Sequence, residues 1–208
     1  MNVFDLPGPV NTEDIVRIIG AVASRYKYIV VASATGISAI KIARAAPRST
    51  VVCVTWPQGA PREPDVFSDY PELSKINNES EMTKSPKTIS GQTREILEDL
   101  DVKIVEKPIF PSDTELSFIT KLRQIVSQDA IVKTLGQVSP GTLVIMECVM
   151  MAVDAGAVPD GIDVLACAGT GRGLDTAWVI KTAGSSSLDN PESGIRFVEL
   201  LAKPAVAP

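Results

Sequence analysis

Histidine is absent from the 208 residues, and its absence removes several chemistries at once. A Ser-His-Asp triad, a Cys-His dyad and any histidine-ligated metal are ruled out. A general base would have to be Asp, Glu, Lys, Tyr or Cys. Cysteine is scarce. Cys53, Cys148 and Cys167 are widely spaced, and each falls in a segment that reads as buried strand or helix. An odd, scattered set is neither a disulfide framework nor a zinc site, so no metal is expected. These thiols read as small core residues of a reducing compartment; Cys167, beside a glycine-rich loop, is the one placed to be a reactive thiol. No basic stripe or cluster occurs, and the formal charge is −5, which argues against a nucleic-acid partner. The longest apolar run, 143–153, is interrupted by Glu147 and is too short to span a bilayer. No leading apolar stretch with a cleavage site is present. The expectation is a cytoplasmic protein with no membrane partner, built as a single α/β domain over residues 1–208.

The patterned segments alternate between strand and helix. Asn11 reads as an N-cap, with Glu13 and Asp14 in the first turn and Ile15, Ile18, Ile19 and Val22 forming an apolar stripe to about Arg25. Strands are expected at 28–32, 50–55, 102–105 and 162–167, with closing strands at 176–180 and 197–202. Helices are expected at about 90–100, with Ile96, Leu97 and Leu100 inward, and at 141–155, opened by Ser139-Pro140. A further helix is expected after the capping box Ser112-x-x-Glu115, carrying Leu116, Ile119 and Leu122 on one face. The tail 203–208 reads as loose. Between Trp56 and about Thr88 five prolines break the pattern, and 57–88 reads as an inserted loop: a lid, an oligomer contact or disorder.

The 141–155 helix is apolar on nearly all sides and needs cover from the sheet and from another element or subunit, hence the expectation of a homo-oligomer. Its methionines, Met146, Met150 and Met151, read as core filler. Glu147, alone in charge there before Asp154, needs a partner or a raised pKa. It reads either as a general base or ligand contact, or as a structural carboxylate.

Two loops carry the functional signal. Ser33-Ala34-Thr35-Gly36-Ile37-Ser38 joins the apolar run Tyr28–Ala32 to a helix with Ile37, Ile40 and Ala43 on one side. Small hydroxyl residues at such a junction present backbone N–H groups to an anion, most often a phosphate; alternatively Ser38 or Thr35 merely caps the helix. The second loop, Ala168-Gly169-Thr170-Gly171-Arg172-Gly173-Leu174-Asp175-Thr176, follows the run Ile162–Cys167. Its alternating glycines let backbone approach a ligand, and Arg172 is a cation that could face a phosphate. No Gly-Lys-Ser/Thr follows, so this is not a Walker loop, and the spacing does not fit a dinucleotide fingerprint. In parallel sheets ligands sit beyond the carboxyl ends of the strands, so both loops could flank one cleft.

The segments Val30-Val31-Ala32-Ser33-Ala34-Thr35-Gly36-Ile37-Ser38-Ala39, Ile42-Ala43-Arg44 and Thr50–Thr55 resemble the C-terminal α/β domain of pyruvate kinase. Stand-alone proteins consisting of this domain are more similar still. That similarity includes Pro7-Gly8, Asn11-Thr12-Glu13, Gly59-Ala60-x-Arg62-Glu63, Glu147, Met151-Ala152-x-Asp154-Ala155-Gly156-x-x-Pro159 and Gly169-Thr170-x-x-Gly173-x-Asp175-Thr176-Ala177. The resemblance implies a three-layer sandwich with a mainly parallel sheet. It also implies a phosphate held by the Ser33–Ser38 loop and flavin mononucleotide (FMN) in the cleft. Together with the reading of the two loops, it indicates as site residues Ser33, Ala34, Thr35, Gly36, Ile37, Ser38, Gly169, Thr170, Gly171, Arg172, Gly173, Asp175 and Thr176. The chain departs from the family pattern at Trp56-Pro57, where two histidines are usual, at 107–111, where glycines are usual, and at Ala168. The pyruvate kinase reaction is set aside, because its barrel is absent. Three functions stay open: a binding protein for a phosphorylated small molecule, FMN first, with flavin-dependent redox activity if flavin binds; a sugar-phosphate-sensing regulatory or assembly protein; and a scaffold with an empty cleft.

Overall fold

Seven strands form one sheet in the computed structural model, which describes residues 1–56, 88–106, 134–188 and 190–205. The strands are β1 (Asn2–Phe4), β2 (Tyr28–Ala32), β3 (Thr50–Thr55), β4 (Lys103–Glu106), β5 (Asp163–Ala168), β6 (Thr176–Lys181) and β7 (Arg196–Pro204). Their order is β1-β7-β6-β5-β2-β3-β4. The helices are α1 (Thr12–Val22), α2 (Ile37–Ala45), α3 (Gly91–Asp99) and α4 (Pro140–Asp154). β2 pairs in parallel with both β3 and β5, and β3 with β4. β6 runs antiparallel to both its neighbours. For the β5–β6 pair the reason is length: the connection 169–175 is too short for the crossover that a parallel partner requires.

The strand sequences read as continuous apolar runs because both faces of the sheet are covered. Ile29, Val31, Val51, Cys53, Leu165 and Cys167 pack with Ile15 and Ile19 of α1, Ala39 and Ile42 of α2, and Leu97 of α3. The alternate residues Val30, Val52, Val54, Val164, Ala166 and Ala168 pack with Ile145, Val149 and Ala152 of α4. The result is three layers, with the period-2 alternation of each strand assigning its side chains to one core or the other. Each fully buried Ile or Leu in these cores contributes about 1.5–3 kcal/mol relative to exposure.

The helix boundaries follow local chemistry. Ser90 caps α3 by accepting from Thr93 N–H, and Ser139 caps α4 by accepting from Thr142 N–H at 3.1 Å, with Pro140 in the first turn. α1 gives way at its end to a tight turn at Ala23–Arg25. Asn11 does stand at the N-cap of α1, but its side chain does not cap. It turns back instead, and Nδ2 donates to the carbonyls of Leu6 (2.7 Å) and Gly8 (3.3 Å).

Two expectations are corrected. Strand β1 was not anticipated; it is three mostly exposed residues at the sheet edge, with no alternation to read. The tail is not loose through Ala205. β7 extends to Pro204, pairs there with Phe4, and Ala205 N–H donates to Phe4 O at 2.7 Å. α4 buries nine residues, Met146, Met150 and Met151 among them, as core filler. The capping box at 112–115 with its helix, and the inserted loop 57–87, lie outside the described residues. No described helix is long and apolar enough to cross a membrane.

Candidate functional site

Val31 pairs with Cys167, so the two sequence-predicted loops leave neighbouring parallel strands at the same level. Their surroundings diverge there. β2 leads through α2 to β3 on one side, and β5 turns to β6 on the other. This is the switch-point geometry at which open α/β sheets receive ligands.

The first loop is splinted by β3. Ser33 N–H donates to Val54 O at 3.0 Å, and Thr55 Oγ1 donates to Ala34 O at 3.0 Å. Gly36 is the N-cap of α2, in the left-handed conformation (φ 82°), and no side chain caps the helix. The alternative in which Ser38 or Thr35 merely caps α2 is therefore not what is seen. The Gly36 φ alone disfavours a side chain there, and an added Cβ would lie 2.8 Å from Thr93 Cγ2 and 2.9 Å from Leu97 Cδ1. Ala34 and Ile37 are exposed, Thr35 and Ser38 half-buried, and Ser33 and Gly36 buried. An uncapped first turn beside strand ends supplies the N–H groups and the positive dipole end that favour an anion.

The second loop is a β5–β6 hairpin connection, not the start of a helix, so it adds no second dipole. It is clamped from below by the N-terminal strap 6–12. Gly8 N–H donates to Asp175 Oδ2 (2.8 Å), and Leu174 N–H donates to Thr12 Oγ1 (3.0 Å). A Cβ on Gly173 would collide with Thr12 Oγ1 at 2.4 Å and Pro9 Cα at 2.6 Å. Gly169 lies against the Gly173 carbonyl, and Arg172 N–H donates to Thr170 O at 2.9 Å. Gly171 is exposed, with φ 76°.

Asp175 is fully buried and is the hub of this clamp. Oδ2 also accepts from Thr170 N–H at 3.0 Å, and Oδ1 accepts from Thr176 Oγ1 at 2.8 Å. Thr176 Oγ1 lies 3.0 Å from Ser139 Oγ, which lies 2.9 Å from Thr142 Oγ1, which accepts from Trp178 Nε1 at 3.1 Å. The polarity of this chain is fixed at both ends, since an indole N–H only donates and a carboxylate only accepts. Hydrogens therefore run Trp178 to Thr142 to Ser139 to Thr176 to Asp175, one per contact. These contacts give Asp175 and Thr176 a positioning role in the loop. Thr170 is different. Its hydroxyl is buried, the residue being 2 % exposed, and has no hydrogen-bond partner.

Cys167 is buried, and burial pushes its thiol far above the ordinary range, as it does for Cys148. Cys53 is pushed up to about 12, chiefly by burial, with Arg94 opposing and Glu106 adding. Cys167, placed beside the loop, is thus held as a buried neutral thiol. Burial raises Glu147 to about 7. Among the described residues no group of three or more Cys, Asp or Glu is placed to hold a metal ion.

Sequence reasoning brought the two loops to one strand-end region. It missed Gly8, Thr12, Ser139, Thr142 and Trp178 as their supports. Ser139 was legible as a cap, but the contact of Gly8 with Asp175 spans 167 positions and leaves no local signal. No family model matches the chain.

Proposed function

We propose that this chain binds a phosphorylated small molecule at the carboxyl ends of β2 and β5, with FMN the ligand that the sequence resemblance favours. The same reading takes the domain as pyruvate kinase C-terminal domain-like. The supporting observation is the uncapped N-terminus of α2, opened by left-handed Gly36 at the switch point of the sheet. In this reading the first-turn amides of α2, with Ser33, Thr35 and Ser38, hold the phosphate. The hairpin residues Gly169, Thr170 and Gly171 lie beside the rest of the ligand. FMN, when bound, supplies one- and two-electron redox chemistry, and the chain supplies binding and orientation.

The test is calorimetric titration of FMN into wild type and Ala34→Asp. Ala34 is exposed, so a carboxylate there leaves the core intact while repelling a phosphate. The expected outcome is binding to wild type, weakened at least tenfold, about 1.4 kcal/mol, in the variant. Equal affinities would remove the phosphate from this loop. A hexose bisphosphate, titrated in parallel, tests the sugar-phosphate reading: binding there with none for FMN would replace the ligand while keeping the site.

A further inference from the structure

Thr170 carries a buried hydroxyl with no partner, two residues beyond the end of β5, the strand that pairs with β2. Buried polar groups in folded proteins are nearly always hydrogen-bonded, and an orphan destabilises the fold that holds it. Valine has the same shape without that penalty. Other polar groups of this hairpin are satisfied: Thr170 N–H by Asp175, Leu174 N–H by Thr12 and Thr176 Oγ1 by Asp175. The orphan is thus a local exception in a well-bonded loop.

We infer that the Thr170 hydroxyl is a ligand-bonding group, kept unpaired in the free protein and satisfied by a phosphate ester. This rests on the phosphate-binding reading above. Placement narrows the chemistry. Neighbouring strands lie about 4.8 Å apart, and Thr170 stands in the hairpin beyond β5 while α2 follows β2, so its hydroxyl is set to meet atoms beside a phosphate seated on α2, not the phosphate itself. The ligand is a phosphate ester whose carbon chain carries a hydroxyl close to the phosphate. The ribityl chain of FMN and a sugar phosphate both have this chemistry. Because the hydroxyl is covered in the free protein, ligand entry must uncover it, and exposed Gly171 (φ 76°) is the adjoining residue with the backbone freedom for that.

The experiment compares wild type, Thr170→Val and Thr170→Ser. It measures Tm without ligand, and affinity for FMN, for a hexose bisphosphate and for inorganic phosphate. Thr170→Val is expected to raise Tm while weakening the ester that binds roughly tenfold, with inorganic phosphate unaffected. Thr170→Ser restores ester affinity. A purely structural hydroxyl would give the opposite sign: Thr170→Val would lower Tm. Either that result, or an ester affinity unchanged in Thr170→Val, overturns the inference while leaving the phosphate site standing. An equal loss for inorganic phosphate overturns the placement of the hydroxyl beside the ester. A wild type that binds none of the three probes overturns the phosphate-binding reading and this inference together.

Discussion

Replacing Asp175 by Asn changes one atom and should nonetheless destabilise the protein. The carboxylate takes three hydrogen bonds, from the Gly8 and Thr170 amides and the Thr176 hydroxyl. It also terminates the chain of hydroxyls that begins at Trp178. In the wild type each contact in that chain has one hydrogen. An Asn oriented to keep its oxygen on the two amides turns its NH₂ toward Thr176 and adds a hydrogen with no contact to fill. The chain must then reverse, and one buried hydroxyl loses its acceptor. The alternative orientation sets the NH₂ against two N–H donors and is worse. One orphaned buried donor costs about 1–3 kcal/mol, and the loss of the charge from three bonds adds to it. The expected total is about 2–4 kcal/mol. Asp175→Ala leaves three donors without their acceptor and should cost more, about 3–5 kcal/mol, a large fraction of a typical domain stability of about 5–15 kcal/mol. Urea denaturation read by Trp178 fluorescence would measure both, with m unchanged if the native state stays compact. An Asp175→Asn midpoint equal to wild type would refute the orientation assigned to the chain. Asp175→Asn costing more than Asp175→Ala would refute the hub itself.

The remaining predictions concern the pH response and the first loop. Burial raises Glu147 to about 7, above the ordinary value of about 4.3 in an unfolded chain, so the folded state binds the extra proton. The stability this contributes is complete below pH ~4 and is lost as pH rises through ~7. Tm should therefore fall between pH 5 and 8, and Glu147→Gln should flatten that fall and be the more stable form at pH 8; an unchanged slope would contradict it. Gly36→Ala combines a left-handed φ with contacts under 3 Å to Thr93 and Leu97, and should cost at least about 1–2 kcal/mol in denaturation while weakening phosphate binding. A Gly36→Ala protein as stable as wild type would mean that the loop relaxes freely.

Much of the fold was readable because it rests on patterns local to the chain. The buried strands Tyr28–Ala32 and Thr50–Thr55 are short β-branched runs, and Ser90 and Ser139 announce their helices by capping. The site was half readable. Composition marked Ser33–Ser38 and Gly169–Thr176 as unusual, and parallel pairing of β2 with β5 accounts for their proximity. Composition could not tell that Gly36, and not Ser38, caps α2, because that rests on a left-handed backbone with Thr93 and Leu97 where a side chain would go. Nor could it separate Asp175 from its neighbours. An acidic residue in a glycine-rich loop looks like a ligand contact until its oxygens are seen to be taken by Gly8, Thr170 and Thr176. Cys167 was legible on both counts: it stands beside the loop and in a strand that reads as buried, and it packs in the core with Leu165 and Val31. β1 and the ordered end of β7 depend on each other, and neither carries a pattern of its own.

The measurement that bears most directly on the strand-end site is FMN titration of the purified wild-type protein, with a hexose bisphosphate and inorganic phosphate in parallel and Ala34→Asp as the control. The account predicts saturable binding of a phosphorylated ligand that Ala34→Asp weakens at least tenfold, about 1.4 kcal/mol. No binding of any of the three, or binding that Ala34→Asp leaves untouched, would contradict it.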